Sequence, residues 1–135
     1  VILSTAMPSD EIQRLLEANE TFYKAFRECD SALMDAIWSR NEPVFCIHPG
    51  WLPLVGRKQV IQSWEAIMSQ TGSPDIHCEG ASARIDDDHG TVVCFENVAG
   101  ARLVATNLFI RSPEGGWRIY HHHAGPTEAQ PSQIH

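Results

Sequence analysis

Two strand ends and one strand middle carry the side chains best suited to proton chemistry. Near the C-terminus, Trp117-Arg118-Ile119-Tyr120-His121-His122-His123 alternates in a way that puts Trp117, Ile119, His121 and His123 on one face and Arg118, Tyr120 and His122 on the other. The face that begins with Trp and Ile is the one expected to meet a core, which would carry His121 and His123 inwards. His48 ends a second short run in which Val44 and Cys46 share its side. An imidazole with an ordinary pKa near 6.5 suits general acid/base work at neutral pH. Each histidine has an equally ordinary structural reading, since one or two hydrogen bonds satisfy a buried ring.

Glu96 and Asn107 sit in the middle of two further apolar, β-branched runs. Neither residue type favours a strand interior, and a buried carboxylate must be paired or have its pKa raised. Parity leaves open whether the two face the core or solvent. If Glu96 faces inwards beside His121 or His123, the pair is an acid/base arrangement against an apolar wall. Cys94 shares its face with Glu96, but a thiolate–imidazole pair with His48 would need an activating environment. His121 and His123 also have the spacing of two metal ligands, with His48 or Glu96 as a third. That signal is weak, no metal is assigned, and the reading is cofactor-free.

The elements that must position these groups follow from pattern. Ser9 after Pro8, with Asp10 and Glu11 behind it, has the composition of a helix start. Ile12, Leu15, Leu16, Phe22, Tyr23 and Phe26 then recur at helical spacing. Asp30 suits the N-cap of a second, short helix with Leu33, Met34, Ile37 and Trp38 as its stripe, and Asn41-Glu42-Pro43 ends that pattern. Val44 to His48 reads as a strand. The loop Trp51-Leu52-Pro53-Leu54-Val55-Gly56 is too apolar for a solvated connection and is expected to fold over something. A third helix carries Val60, Ile61, Trp64, Ile67 and Met68 and stops at Thr71-Gly72-Ser73-Pro74. Four strands, 76–85, 91–98, 102–111 and 117–123, follow with short turns between them, which predicts an antiparallel meander. Helices first and strands later is an α+β order, with the helices on one face of the sheet.

Composition bounds the rest. The chain of 135 residues suits one domain, expected over 1–126, with a loose tail over 127–135 rich in Pro, Gln, Ser and Thr. Apolar residues at 43% and charged residues at 20% are ordinary globular usage. With 10 basic against 17 acidic residues and a formal charge of −7, a nucleic-acid partner is not expected. No apolar run approaches the ~18–20 residues that span a bilayer, so no membrane partner is expected either. Val1-Ile2-Leu3 is too short and lacks the basic flank of a signal peptide. Four scattered cysteines without a CxxC pair read as buried thiols, consistent with a cytoplasmic location.

The order of motifs resembles the SnoaL-like branch of the NTF2-like superfamily. Phe22-Tyr23-Lys24-Ala25-Phe26, Asp30 and the Leu33-to-Trp38 stripe are similar to its opening helices. His48-Pro49-Gly50-Trp51, then Gly56-Arg57 before a helix with Trp64, is similar to its strand, lid loop and third helix. Thr106-Asn107-Leu108-Phe109 and the Trp117-to-His123 ending complete the likeness, which covers roughly residues 10–126. The resemblance implies a cone: three N-terminal helices packed on a curved, mostly antiparallel sheet that encloses a pocket. It also implies homodimerisation through the outer face of the sheet. Members include ketosteroid isomerases, scytalone dehydratases, limonene-epoxide hydrolases and polyketide cyclases, and others that only bind. The Asp base and Tyr/Asp oxyanion pair of the isomerases have no counterpart here, nor has the Arg–Asp arrangement of the epoxide hydrolases.

Three functions are therefore carried forward. One is a lyase or isomerase of a small, largely apolar carbonyl or hydroxyl compound. There His121 or His123 would be base, His48 or Asn107 would donate to an oxyanion, and Trp51 and Leu54 would exclude water. The second is a binding pocket walled by Trp38, Trp51 and Trp64 and oriented by His and Asn. The third is a dimerising scaffold that uses Val104, Thr106, Leu108 and Ile110 opposite Leu103, Ala105, Asn107 and Phe109.

Overall fold

The computed structural model describes residues 8–72 and 74–130. Residues 1–7, with the Val1-Ile2-Leu3 run, lie outside the described residues. The first helix, α1, spans Pro8–Arg27, with Asp10 and Glu11 in its first turn and Lys24 and Arg27 in its last, both complementing the helix dipole. It starts at Pro8, one residue before the expected Ser9, and proline at a first helical position surrenders no useful N–H. Helix α2, Ser31–Ile37, begins where Asp30 accepts a hydrogen bond from the Leu33 amide at 3.0 Å, as the N-cap pattern predicts. Helix α3 spans Arg57–Thr71.

Strand β1 is Phe45–Ile47 and β2 is Leu54–Val55. The second corrects the expectation that Trp51 to Gly56 is all loop, because Leu54 and Val55 pair back onto Cys46 and Phe45. The long strands are β3 (Ile76–Asp86), β4 (His89–Val98), β5 (Ala101–Arg111) and β6 (Trp117–Pro126). Their order in the single sheet is β2-β1-β6-β5-β4-β3, antiparallel throughout except where β1 runs parallel to β6. The β4–β5 turn has two residues, Ala99 at φ 50° and Gly100 at φ 89°, the left-handed pair that matches strand twist in a tight hairpin.

The three helices cover one face of this curved sheet, which is open rather than closed into a barrel. The core between them holds Leu15, Phe22, Tyr23, Trp38, Val60, Trp64, Phe109 and Ile119. Thr127 to Gln130 do not hang free: the Thr127 amide donates to Arg102 O, and Arg102 donates to Gln130 Oε1 at 2.7 Å. The remaining residues of the expected tail, 131–135, lie outside the described residues. No helix among the described residues is long and apolar enough to cross a membrane.

Candidate functional site

One irregularity decides which histidine faces the core. On β6, Leu108 pairs with His121 but Phe109 pairs with Ile119, so Tyr120 is an extra residue in a bulge. Before the bulge Trp117 and Ile119 face the helices, and after it the inward positions are His122 and Ala124. His122 is 3% exposed, whereas His123 is exposed and His121 only half-buried. The expectation that His121 and His123 extend the buried stripe is thus corrected. They lie on the outer face beside Ile47 and Phe45, and the metal trio suggested with His48 or Glu96 does not assemble.

Glu96 and Asn107 both face inwards, buried on β4 and β5. Cys46 on β1 is level with His122, which brings His48 at the end of the strand to the same side. Two further groups come from α1, where Asn19 and Tyr23 are one helical turn apart and both fully buried. A polar pair at i, i+4 inside an apolar stripe was the available signal for them. By spacing alone Tyr23 reads as one more member of the apolar stripe.

The hydrogen bonds fix the protons. Asn107 Nδ2 donates to Asn19 Oδ1 at 2.8 Å and to the Tyr23 hydroxyl at 3.1 Å, so its oxygen must face His122. His122 Nδ1 lies 2.6 Å from that oxygen and therefore carries the ring proton, leaving Nε2 as a lone pair. Tyr23 in turn donates to Glu96 Oε2 at 2.6 Å. His122 Nε2 and Glu96 Oε2 are 3.8 Å apart, within ion-pair reach but too far for a hydrogen bond. Burial decides their charge. It holds His122 down to about 3, with the nearby His48, His121 and His123 adding to the effect. It pushes Glu96 up, against the opposing Tyr23 hydrogen bond. Each group is driven towards its uncharged form, so a salt bridge is not the resting state.

His48 is a separate arm. Ser63 Oγ spends its proton on Val60 O at 2.6 Å, so His48 Nε2–H donates to Ser63 at 2.9 Å and Nδ1 carries the lone pair. Burial lowers this ring to about 4. Trp51 and Trp64 stand edge-on to it, each with ring centroids at 4.7 Å. Gly50, at φ 82°, makes the turn that lets the Trp51 amide close onto His48 O. The cysteine beside His48 is Cys46, with Sγ 3.6 Å from Nε2, and burial pushes that thiol up to about 12. Cys94 contacts Tyr23 and Asn107 instead, so no thiolate–imidazole pair forms.

These arms border a cavity of ≈ 200 Å³ walled by Phe22, Phe26, Trp51, Trp64 and Ile67, with Glu96, His122 and His48 at its polar end. Trp51, 46% exposed, stands at its edge. Trp38 does not line this space: it is buried in the core. Leu54 is held in β2, also outside it, and Asn107 lies behind His122 and Tyr23. No group of three or more His, Cys, Asp or Glu among the described residues is placed to hold a metal.

Curved sheet, three covering helices and an inward polar floor define an α+β cone of the NTF2-like type. The SnoaL-like domain model matches residues 15–127, and the chain belongs to that family. Among solved structures, a Streptomyces avermitilis protein assigned to the NTF2-like family as a candidate dehydratase is 30% identical. It aligns over 91% of this chain and 100% of its own, with a TM-score of 0.83. A candidate calcium/calmodulin-dependent protein kinase type II association domain from Thiobacillus denitrificans is also 30% identical, over 82% of this chain and 93% of its own, with a TM-score of 0.73. The F-box protein SKIP8 of Arabidopsis thaliana is 28% identical over 122 residues, 89% of this chain. The chain spans about half, 52%, of that curated relative.

Proposed function

We propose that the cavity is the site of a cofactor-free lyase or isomerase that moves one proton on a small hydroxyl or carbonyl compound. The observation that carries this reading is Glu96: a buried carboxyl, held at one oxygen by Tyr23 and raised in pKa, at the polar end of an apolar cavity. A carboxylate with a raised pKa is a stronger base than an exposed one, and the acid it forms can return the proton. In this scheme Glu96 removes the proton next to a carbonyl. It then delivers that proton to a departing hydroxyl, which leaves as water, or to another carbon of the same ligand. His122, whose Nε2 is a lone pair, is the positioning partner that accepts a hydrogen bond from protonated Glu96 or from the ligand hydroxyl. Trp51 limits water at the edge. The likeness to a candidate dehydratase at 30% identity supports the same direction.

The size of the cavity narrows the choice of test compound. Benzene fits an engineered cavity of about 150 Å³, so ≈ 200 Å³ suits one ring with a few added atoms. With 3-hydroxycyclohexanone the expected result is enzyme-dependent appearance of the conjugated enone in ultraviolet absorbance. With cyclohexanone in D₂O it is exchange of the α-protons by NMR. Glu96→Gln is expected to lower either rate by roughly 10²-fold or more. Exchange at an unaltered rate in Glu96→Gln would remove the carboxyl from the mechanism.

We further propose that the chain pairs with a second copy through the outer face of the sheet. Phe45, Val55 and Val104 are exposed there, an unusual set for a solvated sheet face. The four cysteines are all free thiols, which supports a reducing compartment such as the cytoplasm.

A further inference from the structure

The titratable side chains that line the cavity present hydrogen-bond acceptors, and most of the remaining wall is aromatic or aliphatic. Glu96 Oε2 accepts from Tyr23, and Oε1 has no donor among the described residues. His122 Nε2 and His48 Nδ1 are lone pairs, because the other ring nitrogen of each is committed to Asn107 and to Ser63. Among the donors of the lining, the Tyr23 hydroxyl goes to Glu96 and the Trp64 indole N–H is buried without accessible surface, which leaves the neutral indole N–H of Trp51 at the half-exposed edge. No Arg or Lys is in the lining, so Glu96 is its one group that can carry a charge while both imidazoles are neutral. A carboxylate or phosphate ligand would meet three acceptors and no cation.

Aromatic rings make up much of the remaining wall. Phe22, Phe26, Trp51 and Trp64 join Tyr23 around this space, with Phe22 and Phe26 both edge-on to Trp64 at centroid distances of 5.3 and 5.0 Å. Aromatic walls beside a single carboxylate are the chemistry that recognises an ammonium group, through ring quadrupoles and charge-assisted hydrogen bonds. The chain's formal charge of −7 favours approach of a cation as well.

We infer that the preferred ligand of this cavity is a small organic cation, a one-ring compound bearing a protonated amine that donates to Glu96 and to a histidine lone pair. The inference rests on the cavity being the ligand site, and it holds whether or not proton transfer follows.

Three probes of nearly equal size separate the possibilities: benzylammonium, benzyl alcohol and benzoate, titrated into the whole chain by calorimetry and followed by tryptophan fluorescence. Benzylammonium is expected to bind about ten-fold more tightly than benzyl alcohol, the worth of one such contact, and benzoate more weakly than either. In Glu96→Gln the gap between ammonium and alcohol should close. The wild-type ranking tests the inference even if that variant folds poorly. Equal affinities for ammonium and alcohol, or benzoate binding most tightly, would overturn the charge preference while leaving the cavity as a binding site. Absence of binding by all three at millimolar concentration would overturn both the preference and the reading of the cavity as a site.

Discussion

At the scale of single residues, the site is governed by opposing effects on three titratable groups. His122 and His48 are held down to about 3 and about 4 by burial, while an unfolded chain titrates its histidines near 6.5. Below ~6.5 the unfolded state therefore binds protons that the folded state refuses. Their contribution to stability is fully present above that pH and is lost as pH falls towards 4 and 3, by at most about 1.4 kcal/mol per pH unit for each ring. Glu96 works the other way. Its raised pKa contributes stability that is present at low pH and lost as pH rises through the folded value. Between pH 6 and 5 two imidazoles oppose one carboxyl, so the net expectation is a stability that falls on acidification. His122→Gln should flatten that slope by up to about 1.4 kcal/mol per unit, measured as urea unfolding at pH 6 and pH 5. Identical slopes in wild type and variant would mean that His122 is not held neutral by its surroundings. Strict alternation assigns His121 and His123 to the Trp117 face, and nothing in Trp117 to His123 marks Tyr120 as an added residue, since bulge and regular strand draw on the same residue types.

At the scale of elements, the site exists because α1 presses Asn19 and Tyr23 onto the sheet at the level of Glu96 and Asn107. That approach is close. A Cβ built on Gly90 of β4 would lie 2.7 Å from Leu15 Cδ2 and 2.8 Å from Cδ1, and Leu15 is fully buried with little room to turn. Gly90→Ala should therefore cost about 1–3 kcal/mol by overpacking. Leu15→Ala alone should cost roughly 2–5 kcal/mol by leaving a cavity. The double variant should be clearly more stable than the sum of the two costs implies, because the new methyl enters the vacated space. Simple additivity in thermal or urea unfolding would show that α1 does not rest on β4 at this point. Helix and strand positions were legible in the chain: the i, i+3, i+4 stripes, Asp30 as a cap, and turn compositions such as Ala99-Gly100 all found their place. β2 was not legible, because two residues cannot show a period and only pairing with β1 defines them. The inward facing of Glu96 and Asn107 was equally out of reach, since each becomes tolerable inside only through Tyr23, Asn19 and His122 on other elements. Conversely Trp38, expected at the cavity wall, went to the core, as its place at the end of α2 gives it a bridge to Ile119.

At the scale of the whole molecule, one face of the sheet is committed to the helices and the other is left with apolar side chains. On β5, Ala105, Asn107 and Phe109 are buried against the helical side. Val104, Thr106 and Leu108 alternate with them and are more exposed, whereas Ile110 is buried beside Phe109. Phe45 and Ile47 on β1 continue that outer surface next to His121 and His123. The four long strands, of 10 or 11 residues, reach ~33–36 Å and span ~14 Å from β3 to β6 at ~4.8 Å spacing. The product, roughly 500 Å², is more than half of the ~800 Å² per partner of a standard interface, and the short β1 and β2 extend it at one edge. A two-fold pairing sets the same patch against itself, so one substitution enters the interface twice. Val104→Asp, at a position 37% exposed, would place two like charges in the contact with little effect on the fold of a single chain. The wild-type chain of 15.1 kDa is expected to run at about twice that mass at micromolar concentration in light scattering coupled to gel filtration. Val104→Asp should shift it to the single-chain mass while circular dichroism stays the same. A wild-type chain that is already a monomer, or a Val104→Asp variant that keeps the doubled mass, would move the interface away from this face and leave its apolar surface without the partner proposed for it.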